Sequence, residues 1–165
     1  MVVEEFGEDG VGFRAMAKAN KAKRAKPTAK AKPKRAEDSL ETVFEELVTI
    51  LKRHVPPFST KVPLVVRNKK AFQITVPKPV VVPGSYGGKP VPIQLAAAIL
   101  QKGYVGLYVM CIYMNPAAKD RLPNLKKLLK GKSCFHVKTL DDVLKREVEE
   151  ALVIAAAEYK KRGWV

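Results

Sequence analysis

No acidic residue occurs between Asp9 and Glu37, although ten lysines and arginines fall in that span. No apolar run approaches the ~18 residues of a membrane-spanning helix. The first residues lack the apolar core of a secretion signal, so a cytoplasmic protein without membrane contact is expected. Cysteine is scarce. Cys111 and Cys134 are the whole complement and both sit in apolar, strand-like runs. That excludes a small disulfide scaffold and reads as reduced thiols packed like small hydrophobes. The two histidines, His54 and His136, share no CxxC or HxxH-like spacing with the cysteines, so no metal and no cofactor are assigned. Aromatic residues make up only 7% of the chain, and no motif sets a recognition helix or a row of base-stacking rings.

What is present is basic charge, unevenly placed. Lys and Arg number 31 against 16 acids, a formal +15. Residues 1–36 hold ten bases and four acids, and residues 37–165 hold 21 bases and 12 acids, so the two parts carry +6 and +9. Between Ala15 and Ala36 only Met16 is large and apolar. Such a stretch cannot offset the entropy of ordering and is expected to be a disordered tail. Pro27 and Pro33 further oppose a continuous helix. Met16-Ala-Lys also resembles a start of translation, so residues 1–15 read equally well as native or as an upstream extension. Lys18, Lys21, Lys23, Arg24, Lys26, Lys30, Lys32, Lys34 and Arg35 would neutralise phosphates as a mobile polycation, in a salt-sensitive and sequence-blind way. A solubilising leader without a fixed partner is the plainer reading of the same composition, and a targeting presequence is disfavoured because the stretch is rich in Lys rather than in Arg and Ser.

Residues 37–165 read as one α+β domain. Leu40, Val43, Phe44, Leu47, Ile50 and Leu51 recur at helical spacing behind an Asp38/Glu41 capping pair, and Pro56-Pro57 ends the run. His54 reads as a cation at that helix C-terminus rather than as a ligand. Val62–Arg67 and Ala71–Val76 look like a hairpin around Asn68-Lys69-Lys70. Gly84-Ser85-Tyr86-Gly87-Gly88-Lys89 lacks both the spacing and the Ser/Thr of a phosphate loop and reads as a turn. Val91–Leu100 is ambiguous because Ala96-Ala97-Ala98 favours helix, but the Lys102-Gly103 turn that follows favours strand. Tyr104–Tyr113 is apolar on both faces, as a central strand should be, and Gly106 within it marks a bulge or a close approach. Asn115-Pro116 opens a short helix that Pro123 breaks and Leu125, Leu128 and Leu129 resume, with Gly131 as its stop. Ser133–Lys138 alternates, with Phe135 and Val137 on one side and Cys134, His136 and Lys138 on the other. The last helix is expected behind Thr139 and Asp142, with Val143, Leu144, Val148, Ala151, Leu152, Ala155 and Tyr159 facing inward, and Gly163 closing it.

Several of these segments together resemble one family. Gly84-Ser85-Tyr86-Gly87-Gly88-Lys89-Pro90, Gly103-Tyr104-Val105-Gly106-Leu107-Tyr108 with Ile112-Tyr113-Met114, Leu129-Lys130-Gly131-Lys132-Ser133-Cys134-Phe135 and a terminal Tyr159-Lys160-Lys161-Arg162-Gly163-Trp164 are similar, in order, to the YdhG-like family of small bacterial proteins, a domain of unknown function. The resemblance covers about Thr42 to Trp164. It implies an antiparallel sheet of about five strands with N-terminal and C-terminal helices packed on it. No catalytic residues come with it, and His136 stands where the pattern would have an amide or another polar group. Some relatives are described as frataxin-like, which raises iron handling. The acids here are interleaved with many lysines, which compete with a hard cation for oxygen ligands and argue against that role.

Three functions follow as expectations. The first is a non-enzymatic binding module for a small anionic ligand or a protein partner, using Tyr108, Tyr113, Lys132, Cys134 and His136 converging from adjacent strands. An ordinary core or rim position is the plainer account of any one of these residues taken alone. The second is a nucleic-acid-associated protein held nonspecifically by its tail. The third is an enzyme built on Cys134 and His136, two residues apart on one strand face, but it lacks an evident third orienting group.

Overall fold

Apolar side chains at every third or fourth position make Glu37–Lys52 a helix, α1, whose inner face is Val43, Phe44, Leu47, Val48, Ile50 and Leu51. The computed structural model describes residues 37–110, 112 and 115–165. The basic tail expected over residues 1–36 lies outside the described residues, and so does Tyr113.

After α1 come strand β1 (Ala71–Thr75), β2 (Gln94–Gln101), β3 (Tyr104–Val109), a 3-10 turn over Pro116–Arg121, a short helix α2 (Pro123–Lys127), β4 (Leu129–Lys130), β5 (Cys134–Val137) and the long helix α3 (Asp142–Lys161). The strands form one antiparallel sheet in the order β1-β2-β3-β5-β4. The fold is α+β, five antiparallel strands with an N-terminal and a C-terminal helix, as the element pattern implies.

The sheet has two chemically distinct faces, set by the two-residue period of a strand. One register row runs Phe72, Ala98, Leu107, Phe135, Leu129 across all five strands. With Ile74, Ala96, Val105, Val109 and Val137 it forms the core under α1 and α3, and most of these side chains are fully buried. Displacing each position by one residue gives the row Gln73, Ala97, Tyr108, Cys134, Lys130 on the opposite face. Ala97 is buried as well but is not part of the core cluster beneath the helices.

The ambiguous stretch is strand β2, and its alanines have a packing reason. Both α1 and α3 pack on β2, and small Ala96 and Ala98 let two helices approach the same strand. Ile74 pairs with Ala96 and Thr75 with Gln94, which leaves Leu95 as an extra residue in a β-bulge. The bulge turns Leu95 into the core, where it is fully buried.

Five local expectations differ from the structure. The helix expected to carry Leu125, Leu128 and Leu129 as far as Gly131 ends at Lys127, because Leu129 and Lys130 pair with β5 as strand β4. Val62–Arg67 forms no strand: only Ser59 bridges to the edge of β1, exchanging two 2.9 Å hydrogen bonds with Thr75. Pro63 has no N–H to offer a ladder, and the carbonyl of Val62 accepts from the Gln73 side chain at 3.0 Å instead. The strand that opens at Tyr104 ends at Val109, with Met110 already helical. The cap of α3 is Asp141, whose carboxylate accepts from Leu144 N–H at 2.8 Å, rather than Thr139. His54 is poorly placed as a helix-end cation: burial pushes its imidazole below the ordinary value, disfavouring the charged form, against an opposing pull from Glu149.

The connection from β4 and α2 back to α3 depends on one buried acid. Glu147 accepts from the backbone N–H of Asn124 (2.9 Å) and Leu125 (2.7 Å) and from the Asn124 amide (2.7 Å). A carboxylate thereby satisfies the unpaired donors at the start of α2 and complements its positive end. At the other end of α3, Gly163 adopts φ +70°, and Trp164 folds back edge-on to Tyr159 at 5.1 Å. Tyr159 in turn donates its hydroxyl to the Gln94 carbonyl at 2.7 Å, so this phenol is a structural tie. No described helix is long and apolar enough to cross a membrane.

Candidate functional site

The face of the sheet that points away from the core cluster carries the chemically versatile side chains. The Lys102-Gly103 turn, with Gly103 at φ +88°, starts β3 at Tyr104. From there Tyr104, Gly106 and Tyr108 fall on this face at every second position. On β5 the same face holds Cys134 and His136, opposite Tyr108 and Gly106 respectively.

Gly106 organises the group. As the cross-strand partner of His136 it presents no side chain, so the imidazole leans along the strand to Tyr104. The two rings stack with centroids 3.7 Å apart and planes 14° from parallel. From the other side the ring of Tyr108 lies over the vacant position, where a Cβ on Gly106 would come within 3.2 Å of the Tyr108 Cε2. Any larger residue here would press on the Tyr108 ring, which would have to give by a few tenths of an ångström.

Tyr108 and Cys134 form the second pair. The side chains are hydrogen-bonded, and this bond is the first cause that pushes the Tyr108 phenol up to about 12; burial and the charges of Cys134 and Tyr104 add to it. Tyr108 is therefore a firmly protonated phenol throughout the physiological range. Cys134 is half-buried and free of any disulfide. Among the described residues Cys134 is set against the Tyr108 phenol and His136 is stacked on the Tyr104 ring, on the same face of β5.

Lysines border this face. Lys130 is paired with Cys134 at the outer edge, Lys132 lies in the β4–β5 turn, Lys138 follows Val137, and Lys102 lies in the β2–β3 turn; all four are exposed. Around the β4–β5 edge the surface opens into a cavity of about 800 Å³ lined by Asn124, Lys127, Leu128, Lys130, His136, Lys138 and the first turn of α3. His136 thus belongs both to the ring stack and to the wall of the cavity. Lys127 reaches the Asn124 side chain at 3.2 Å.

Of the residues expected from the sequence to form a site, Tyr108, Cys134 and His136 share one face, and Lys132 sits at its end. Tyr113 and the basic tail lie outside the described residues. Lys138 joins the face as its alternation with Phe135 and Val137 implied, while Tyr104 and Lys130 join it without having been expected there. The period-two Tyr104-Gly106-Tyr108 pattern was the signal for Tyr104; Lys130 gains its place from the β4–β5 pairing. Of the acids weighed against iron handling, four form ion pairs: Glu46 with Lys145 at 3.0 Å, Glu150 with Arg121 at 2.6 Å, Glu149 with Arg53 and Glu41 with Lys70. Among the described residues no group of three or more His, Cys, Asp or Glu side chains could hold a metal ion.

No family model matches the chain, and neither a curated protein nor a solved structure is significantly similar to it.

Proposed function

We propose that this protein is a YdhG-like, non-enzymatic binding module that takes a small ligand bearing an anionic group. The observation that carries the reading is the shared position of His136. Its ring completes a stack with Tyr104 and also walls a cavity of about 800 Å³ whose rim carries Lys127, Lys130 and Lys138. A cavity of that size, with an apolar floor of Leu128 and Leu144 and a few convergent polar groups, has the make-up of a small-molecule site. The lysines supply charge for a carboxylate or phosphate. The ring pair supplies a planar surface for an aromatic or heterocyclic body.

The test is a titration of the full chain, at low salt, with inorganic phosphate, benzoate and adenosine monophosphate, read by the NMR signals of the Tyr104 and His136 rings. Planar anions are expected to move both rings, and phosphate alone only the cavity side. Charge reversal at Lys130 and Lys138 together is expected to weaken binding by roughly five- to thirtyfold, from about 0.5–1 kcal/mol for each exposed charge. Rings that stay unmoved by all three probes, or a double reversal that leaves affinity unchanged, would remove the proposal.

A further inference from the structure

We propose that the open face of the sheet binds single-stranded nucleic acid, one base extending the Tyr104–His136 stack and the backbone phosphates following the lysines at the sheet edge. The inference rests on the binding reading above and names its ligand class. Three observations support it. First, two parallel rings 3.7 Å apart are already set in stacking geometry. Both are partly exposed, so a third planar group continues the stack without rearrangement. Stacking of this kind accepts any base because each has a π face. Second, the positive charge is spread along the face instead of gathered at one point. Lys102 lies in the β2–β3 turn, Lys130 and Lys138 on the β4–β5 side. One carboxylate or phosphate meets at most part of that array, whereas a chain of phosphates meets all of it. Third, the rings are carried on a sheet face, by β3 and β5, and not on a helix that could enter a duplex groove. Bases inside a duplex are already stacked and paired, so only an unpaired strand offers the faces that these rings accept.

The experiment uses the full chain, whose basic tail is then common to every arm. Fluorescence anisotropy compares single-stranded RNA and single-stranded DNA of about eight nucleotides, within the usual footprint of such surfaces, with duplex DNA and with adenosine monophosphate. Tyr104→Leu keeps apolar volume and removes the ring; Tyr104→Phe keeps the ring. The Leu variant is expected to lose about tenfold in single-strand affinity with duplex affinity unchanged, and the Phe variant to restore it. Reversing Lys130 should flatten the slope of log affinity against log salt by about 0.7, because one fewer phosphate is neutralised. Tightest binding to RNA or to DNA identifies the natural source, and either supports the proposal. Equal losses for single strand and duplex, or no loss at all, overturn it. Binding of the mononucleotide with no gain in affinity on lengthening the strand also overturns it, while leaving the small-ligand reading intact. If the Leu variant fails to fold, His136→Ala removes the other ring, and the same outcomes decide.

Discussion

The two faces of strands β3 and β5 are built from alternate residues of the same ten positions, yet they obey different rules. On the helix side, Val105, Leu107, Val109, Phe135 and Val137 are all apolar and at most 1% exposed. On the other side, Tyr104, Gly106, Tyr108, Cys134 and His136 include two phenols, a thiol and an imidazole, all of them partly exposed, and a glycine held open for a neighbouring ring. The first set answers to exclusion of water and close packing. The second satisfies pairwise, with ring on ring and phenol on thiol, and leaves outer surfaces for something else. A sheet whose second face served stability alone would need neither a glycine in its central strand nor polar atoms at the four sites around it. The difference assigns stability to one face and leaves the other free for the binding role proposed above.

The comparison breaks if the two faces respond alike to mutation. The largest effect is expected from Phe135→Ala, which empties a fully buried site and should cost about 3–5 kcal/mol in chemical denaturation. His136→Ala, its immediate neighbour on the other face, should cost no more than about 1 kcal/mol, since it removes a half-exposed ring and leaves no cavity in the core. Comparable losses for the pair would mean that the open face carries fold stability after all.

A smaller effect is expected from Gly106→Ala. The added Cβ meets the Tyr108 ring at 3.2 Å, and that ring is the movable partner. A cost of about 1 kcal/mol, within the range for mild overpacking, should come with displaced Tyr108 and His136 ring resonances. Unmoved rings would show that Gly106 does not set their arrangement.

The smallest effect is a titration. Phenolate absorbance should reveal one tyrosine ionising near 12. Because its folded-state value is raised, the stability linked to this phenol is present below its ordinary value of 10.0 and disappears as pH rises through about 12. Cys134→Ala removes the leading cause and should bring the transition back toward 10.0, stopping short of it because burial and the neighbouring Tyr104 remain. An unchanged transition in that variant would detach the thiol from the phenol.

Much of the architecture is legible in the sequence because it follows from short-range periodicity. The helical repeat of Leu144, Val148, Ala151, Leu152, Ala155 and Tyr159 needs no knowledge of the rest of the chain, nor does the alternation of Cys134-Phe135-His136-Val137. Asp141 escapes as the cap because Thr139 and Asp142 offer the same side-chain chemistry within the same few residues, and only the path of the backbone chooses among them. Val62–Arg67 misleads because its β-branched composition is that of a strand, while Pro63 and the reach of Gln73 to the Val62 carbonyl decide otherwise. In the candidate site, Tyr108, Cys134 and His136 can be placed together from neighbouring strands. Tyr104 cannot, because its partnership with His136 depends on register.

By itself, then, the sequence determined most of the helices and strands, that the domain is α+β, and which side of β5 is buried, since each depends on residues within one or two turns of one another; Val62–Arg67, the ambiguous Val91–Leu100, the end of the strand after Val109 and the strand Leu129–Lys130 were left to the tertiary structure. Only the tertiary structure decided that Gly106 stands opposite His136, that Tyr104 rather than Tyr108 receives the imidazole, and that Lys130 and Lys138 border one cavity. The first two depend on the pairing of β3 with β5, which are distant in the chain, and the third on the pairing of β4 with β5. The β3–β5 pairing is chosen by the fit of Leu107 against Phe135 and of Val105 against Val137 beneath the helices. Burying one face in that register fixes the neighbours on the other, because a slip of a single residue would exchange the two faces entirely.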